Sequence, residues 1–243
     1  EDYAEAGQPV DPNEWDTPAQ TVNAFYDPLN NEIVFPAGIL QAPFFDYRVD
    51  RATNLGGIGF VIGHEITHGF DLSGSQYDAE GNLRNWWTAG DRERFLALNE
   101  ALAAQYDAIE ALPGEFVNGQ ITVGENAADL GGIQVAYAAL QRDASSGADA
   151  TPEATAAASP VPIDDPAAIE FTPEQRFFIN AATIWRIEYR EAALLTQLRS
   201  GVHSPGMVRG VQPHRNMDAF HAAFDIGPED PEFLPPEARV VIW

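Results

Sequence analysis

The amino-acid sequence predicts an α+β fold that is mainly helical and carries one small sheet. Three observations support this prediction. Stretches at about 88–112, 119–142 and 172–199 read as helices, two of them opened by a threonine in the capping position. Two β-rich runs, 21–26 and 32–36, flank the turn formers Asp27-Pro28-Leu29-Asn30-Asn31, the pattern of a hairpin or a pair of edge strands. Between the sheet and the first long helix, residues 54–70 form an apolar segment that reads as a helix despite Gly56, Gly57, Gly59 and Gly63. Each glycine costs a helix about 1 kcal/mol relative to alanine, so four of them suggest that another backbone must come close.

Each further element follows from local chemistry. Residues 1–17 are rich in proline and acid and read as an extended lead-in, with one domain expected over 18–243. Ile39 to Phe45 is apolar but interrupted by Pro43, which suits a segment that packs or lines a cleft. Asp78-Ala79-Glu80-Gly81-Asn82 lacks the spacing of a calcium loop and reads as a turn. Thr88 caps a helix whose apolar stripe is Phe95, Leu98, Leu102 and Tyr106, and Pro113-Gly114 stops it. Gly119 to Gly132 opens a helix continuing to about Arg142. Residues 144–170 are low in complexity and read as a flexible loop within the domain. Thr172-Pro173 starts a helix with Phe177, Phe178, Ala181, Ile184 and Trp185 on its buried stripe, running to about Arg199. Residues 201–209 read as a loop, 217–224 as a short helix, and the apolar end Arg239 to Trp243 as a docking segment.

Charge and composition exclude several functions. The chain has 37 acidic and 13 basic residues, a net charge of −24, which disfavours a phosphate-backbone partner, so nucleic acid is set aside. It contains no cysteine, so a metal site here must be built from histidines and carboxylates. No run of 18 apolar residues predicts a membrane segment.

His64, Glu65 and His68 form H-E-x-x-H. On a helix, residues four apart lie one turn above the other, so both imidazoles can hold one zinc ion. Glu65 then stands beside the metal's open position. Glu125 and Asp129 are also four apart on a predicted helix. Such a pair is ordinarily a solvated edge. Beside a two-histidine helix it acquires another use, because catalytic zinc takes a third protein ligand, and a carboxylate can fix a ligating imidazole through its other nitrogen.

These stretches together resemble the zinc peptidases of the neprilysin and endothelin-converting-enzyme family. The residues that carry the resemblance are Asn23-Ala24-Phe25-Tyr26, Ile33 to Gln41, Gly63 to Asp71, Gly124-Glu125-Asn126 with Asp129, and His203-Ser204-Pro205-Gly206 with Arg209, in the family's order. The resemblance implies a thermolysin-like catalytic lobe whose sheet edge binds an extended peptide. It implies that His64, His68 and Glu125 hold one zinc ion and that Glu65 is the general base. Asp129 would orient one imidazole and Asp71 the other. His203 would stabilise the oxyanion, and Arg209 would hold a substrate carbonyl. Asn23 and Ala24 would bind the peptide backbone, and Ile39, Phe44, Phe60, Val61 and Trp185 would line the pocket for the side chain after the scissile bond. The implied activity is zinc-dependent cleavage of short peptides on the amino side of apolar residues. The family's large helical N-terminal domain is not in this sequence and is the expected partner, and the family's setting points to an extracytoplasmic or cell-surface location. The alternatives are a peptide-binding or inactive zinc lobe that needs that N-terminal domain, and a structural zinc domain.

Overall fold

Asp50 opens the central helical rod, its side chain accepting the Thr53 N–H to cap α1 (Arg51–Asn54). In the computed structural model, which describes residues 7, 15, 17–146 and 171–243, one π-helical turn, Leu55–Gly59, carries that rod into α2 (Phe60–His68). The rod therefore starts earlier than the sequence predicted and ends at His68. The expected lead-in and the low-complexity loop lie almost wholly outside the described residues, apart from Ser145 and its neighbours at the end of α4 below.

Two of the glycines in the rod are explained by close approach. A Cβ on Gly56 would stand 2.1 Å from the Phe177 carbonyl oxygen, and one on Gly63 would stand 2.6 Å from that of Gly132. Backbone therefore packs directly on backbone at both points, a proximity that only glycine permits.

Thr88 caps α3 (Ala89–Asp107) by accepting the Asp91 N–H, as expected. The helix stops before the predicted 112. Instead, β3 (Glu110–Leu112) pairs antiparallel with β4 (Glu115–Phe116) around Pro113-Gly114, where Gly114 has φ +78°. A proline followed by a glycine of positive φ reverses the chain, so these residues make a hairpin turn, and the helix has already ended at Asp107. The longest helix, α4 (Gly119–Ser146), runs past the expected Arg142, and α2 and α3 both pack against it.

The predicted helix over 172–199 is two helices. α5 (Pro173–Thr183) begins with a complete capping box in which Thr172 and Gln175 exchange hydrogen bonds, and α6 (Glu191–Ser200) follows an extended stretch. The break has a tertiary cause. Trp185 lies edge-on to Phe60 and under the Arg209 guanidinium, and Tyr189 accepts the Gly206 N–H through its hydroxyl. Three short helices complete the chain: α7 (Gly206–Arg209) in the predicted loop, α8 (Gln212–Arg215) and α9 (Asp218–Phe224).

The other two-stranded sheet is the expected hairpin, β1 (Phe25–Asp27) antiparallel to β2 (Glu32–Val34) with Phe25 opposite Val34. The main core gathers Phe60, Leu102, Tyr106, Leu130, Ile133, Phe177 and Phe178. Burying each large ring contributes about 1.5–3 kcal/mol. A second, smaller cluster of Ala24, Ile39 and Val61, with Phe35 and Phe44 against it, joins the β1 approach to α2. The C-terminal segment docks as expected: Val240 is buried, the Ile242 N–H donates to Gln134, and Trp243 meets the Phe70 ring edge-on.

Candidate active site

The contact between Gly63 on α2 and Gly132 on α4 brings two helix backbones together one turn from the chemistry. His64 and His68 then face Glu125 and Asp129 across that contact. His64 Nε2 and His68 Nε2 are 3.0 Å apart, and Glu125 Oε2 lies 3.4 Å from the first and 3.7 Å from the second. A tetrahedral zinc with bonds of about 2.0–2.1 Å places its ligand atoms about 3.3 Å from one another. Glu125 Oε2 is buried without an aligned hydrogen-bond partner. A buried, orphaned carboxylate oxygen ringed by imidazole nitrogens is the donor set a zinc ion satisfies. The Glu65 carboxylate also lies close, within 4.8 Å of ligand atoms of both histidines.

The remaining nitrogens of the two imidazoles are tied down. Asp129, wholly buried on α4, accepts from His64 Nδ1 at 2.9 Å. Asp71, three residues beyond His68, accepts from His68 Nδ1 at 2.7 Å. The other Asp71 oxygen takes the N–H groups of Ser73 at 2.7 Å and Gly74 at 2.8 Å. Both Nε2 atoms are left facing Glu125. Arg209 closes the rear of the site, donating Nε to Asp129 Oδ2 and Nη2 to Oδ1, each at 2.8 Å, with its guanidinium 3.7 Å from the Trp185 ring centroid.

Burial and charge act against each other here. Burial disfavours the charged His64 imidazolium, but hydrogen bonds to Asp129 and Glu125 outweigh it and raise its pKa to about 9. Burial would also raise Glu125, yet His203 and His64 hold it below the usual carboxylate range. Asp129 is likewise lowered: desolvation opposes ionisation, and Arg209 and His64 overcome it. Glu65 is raised, chiefly by burial and in part by Glu125, with His64 and His68 opposing. A carboxylate with a raised pKa is a stronger base in its ionised form.

A cavity of about 560 Å³ opens over these groups. Its walls include every residue the sequence assigned to substrate: Asn23, Ala24, Ile39, Phe44, Phe60, Val61, Trp185 and Arg209. Glu65, His64, His68, Asp71, Glu125 and His203 line it too, and Asp129 stands behind them. His203 is half exposed, with Nε2 3.1 Å from Glu125 Oε2. Sequence reasoning left out Tyr26, Ser73 and Gly74, which also line the cavity. The Asp71-x-Ser73-Gly74 run was the available signal, since such sequences place N–H groups on the preceding carboxylate.

The model of Peptidase family M13 matches residues 23–240. The neutral endopeptidase of Lactobacillus helveticus is 38% identical over 97% of this chain, and membrane metallo-endopeptidase-like 1 of Homo sapiens is 40% identical over 96% of it. Among solved structures, the zinc metalloprotease Zmp1 of Mycobacterium tuberculosis superposes with a TM-score of 0.86 at 45% identity over 99% of this chain, and PepO of Lactobacillus rhamnosis with 0.81 at 41% identity over 98%. The fold is thus the thermolysin-like arrangement of those proteases. The chain spans about a third of their length: 32% of the Lactobacillus helveticus relative, 28% of the human one and 35% of the Zmp1 chain. Matched over nearly all of its length, the chain belongs to peptidase family M13.

Proposed function

We propose that this lobe is the catalytic part of a zinc-dependent endopeptidase that cleaves short peptides on the amino side of apolar residues. The observation that carries the proposal is the convergence of His64, His68 and Glu125 on one tetrahedral set of positions, with Glu65 beside them and a partly apolar cavity above. His64, His68 and Glu125 hold one zinc ion, and Asp129 and Asp71 fix the two imidazoles with Nε2 turned inward. Zinc supplies Lewis acidity to polarise the scissile carbonyl and make water nucleophilic near neutral pH.

The protein's own groups do the rest. Glu65 takes a proton from the attacking water as the new C–O bond forms, and returns it to the leaving nitrogen as the C–N bond breaks. His203 Nε2 donates to the oxygen that gains charge, and Arg209, rigid against Asp129 and Trp185, holds a substrate carbonyl. Asn23 and Ala24, leading into β1, pair with the extended peptide backbone. The cluster of Ala24, Ile39 and Val61, extended by Phe44, Phe60 and Trp185, receives the apolar side chain after the scissile bond.

The family resemblance points to one further component, a helical N-terminal domain that covers the cleft and limits substrates to short peptides, and relatives about three times as long as this chain have room for it. A peptide-binding lobe, inert until that domain is present, is the second reading, and it rests on the same observation. Among the described residues no helix is long and apolar enough to cross a membrane. We place the protein outside the cytoplasm or at the cell surface, in keeping with its resemblance to neprilysin. A fluorogenic peptide with leucine after the scissile bond tests the reading. Zinc-loaded chain should cleave it and a chelator should stop cleavage, whereas bound zinc without cleavage would favour the inert lobe.

A further inference from the structure

His203 is the most exposed group assigned to the chemistry, yet its neighbour Ser204 is only 1% exposed. Ser204 Oγ donates to Asn126 Oδ1 at 2.8 Å. Asn126 is fully buried on α4, and its Nδ2 donates to Thr122 Oγ1 at 2.9 Å. Thr122 Oγ1 in turn donates to the Asn118 carbonyl at 2.9 Å, at the start of the same helix. The order of donors along this relay is fixed, because its last acceptor is a backbone carbonyl with no hydrogen to give. The Asn126 carboxamide accepts from Ser204 through its oxygen and donates to Thr122 through its nitrogen at once, which an ionised carboxylate in its place could not do.

Asn126 follows Glu125 directly. One turn of α4 therefore sends Glu125 into the cleft toward the two imidazoles and Asn126 inward to the His203 loop. Gln197 Nε2 reaches the carbonyls of His203 and Ser204 at 3.1 and 3.3 Å, but from a side chain more open to solvent. Buried hydrogen bonds cost more to break than exposed ones, so the Asn126 link sets where the loop sits.

We propose that Ser204 and Asn126 are positioning residues that lock the His203 imidazole in register with Glu125, so that the ligand carboxylate and the oxyanion donor are held by a single helical turn. This rests on the role given to His203 above, and the test separates the two. In zinc-loaded chain, Ser204→Ala should lower kcat by between about 10- and 100-fold, the scale of a small misplacement, with KM and zinc content unchanged. Ser204→Cys, which keeps a weak donor, should recover part of that loss. In a His203→Phe background the same Ser204→Ala change should alter kcat less than about 2-fold, because non-additivity marks groups that act through one another.

A readout that does not need turnover is the calorimetric Kd of a phosphoryl peptide, which carries a tetrahedral oxyanion, beside that of a thiol peptide, which does not. Ser204→Ala should weaken the first by the same factor as kcat and leave the second alone. Equal losses for both ligands, or equal losses in both backgrounds, would mean that Ser204 is merely structural and would overturn the proposal. If His203→Phe itself changed neither kcat nor phosphoryl binding, the role of His203 would fall, and the positioning role with it.

Discussion

Arg209 grips Asp129 through two parallel hydrogen bonds of 2.8 Å while Asp129 holds His64 Nδ1 at 2.9 Å, so one buried carboxylate joins the guanidinium to a proposed metal ligand. Removing the guanidinium leaves that carboxylate underpaid for its lost hydration. Arg209→Met should destabilise the chain by about 3–5 kcal/mol, the cost of breaking a buried ion pair by removing one partner. Urea unfolding measures this directly. A loss under about 1 kcal/mol would show that His64 alone satisfies Asp129.

The Gly63 and Gly132 contact makes a paired prediction on α4. A Cβ at Gly132 would stand 2.6 Å from the His64 nitrogen, whereas one at Gly124 would meet only Asp71 Oδ2, at 3.7 Å. Gly132→Ala should cost about 1–3 kcal/mol or more and weaken zinc binding by moving α2 off α4. Gly124→Ala, one residue before Glu125, should be neutral or stabilising by up to about 1 kcal/mol, because alanine is the better helix former. Thermal melts and zinc titrations of the two variants would separate them, and similar behaviour would rule out the backbone contact as the organiser of the site.

Glu65→Gln keeps the shape of the side chain and removes its basicity. Zinc content should be unchanged and kcat should fall by about 10²–10⁴-fold. Cleavage at the wild-type rate would remove Glu65 from the role of general base.

His214 supplies a pH dependence. Burial among apolar rings outweighs the favourable influence of Asp129 and the Gly210 carbonyl and lowers its pKa from 6.5 to about 4, and its Nε2 has no hydrogen-bond partner. The unfolded chain then binds a proton near pH 6.5 that the folded chain refuses until about pH 4. Stability from this group is full above pH 6.5 and declines as pH falls through that window, by roughly 3 kcal/mol in total. In zinc-loaded protein, where His64 is not free to titrate, denaturant midpoints between pH 7 and 4 should drop accordingly, and His214→Phe should flatten the profile. An unchanged slope in His214→Phe would assign the decline to other groups.

Much of this site was legible because its chemistry depends on spacing along helices. His64 with His68, and Glu125 with Asp129, are four apart, and that alone places each pair on one face. Thr88 and Thr172 announced their helices because capping is a local hydrogen bond. The break between Thr183 and Glu191 was hidden for the opposite reason: no proline or glycine interrupts Ile184 to Arg190, and the chain leaves the helix to put Trp185 beneath Arg209, a residue far away in sequence. The β3–β4 hairpin was missed because its strands are too short to show alternation, leaving Pro113-Gly114 to be read as a helix stop. The link from Ser204 to Asn126 spans 78 residues and has no sequence period at all.

The claim on which the others depend is that two helices supply three ligands to one zinc ion. Calorimetric titration of metal-free chain with zinc, beside Glu125→Ala, tests it most directly. One zinc should bind per chain, and Glu125→Ala should weaken binding by at least about 10²-fold, through loss of a ligand held between His64 and His68. Unchanged affinity in Glu125→Ala would contradict the three-ligand site, however well the imidazoles are placed.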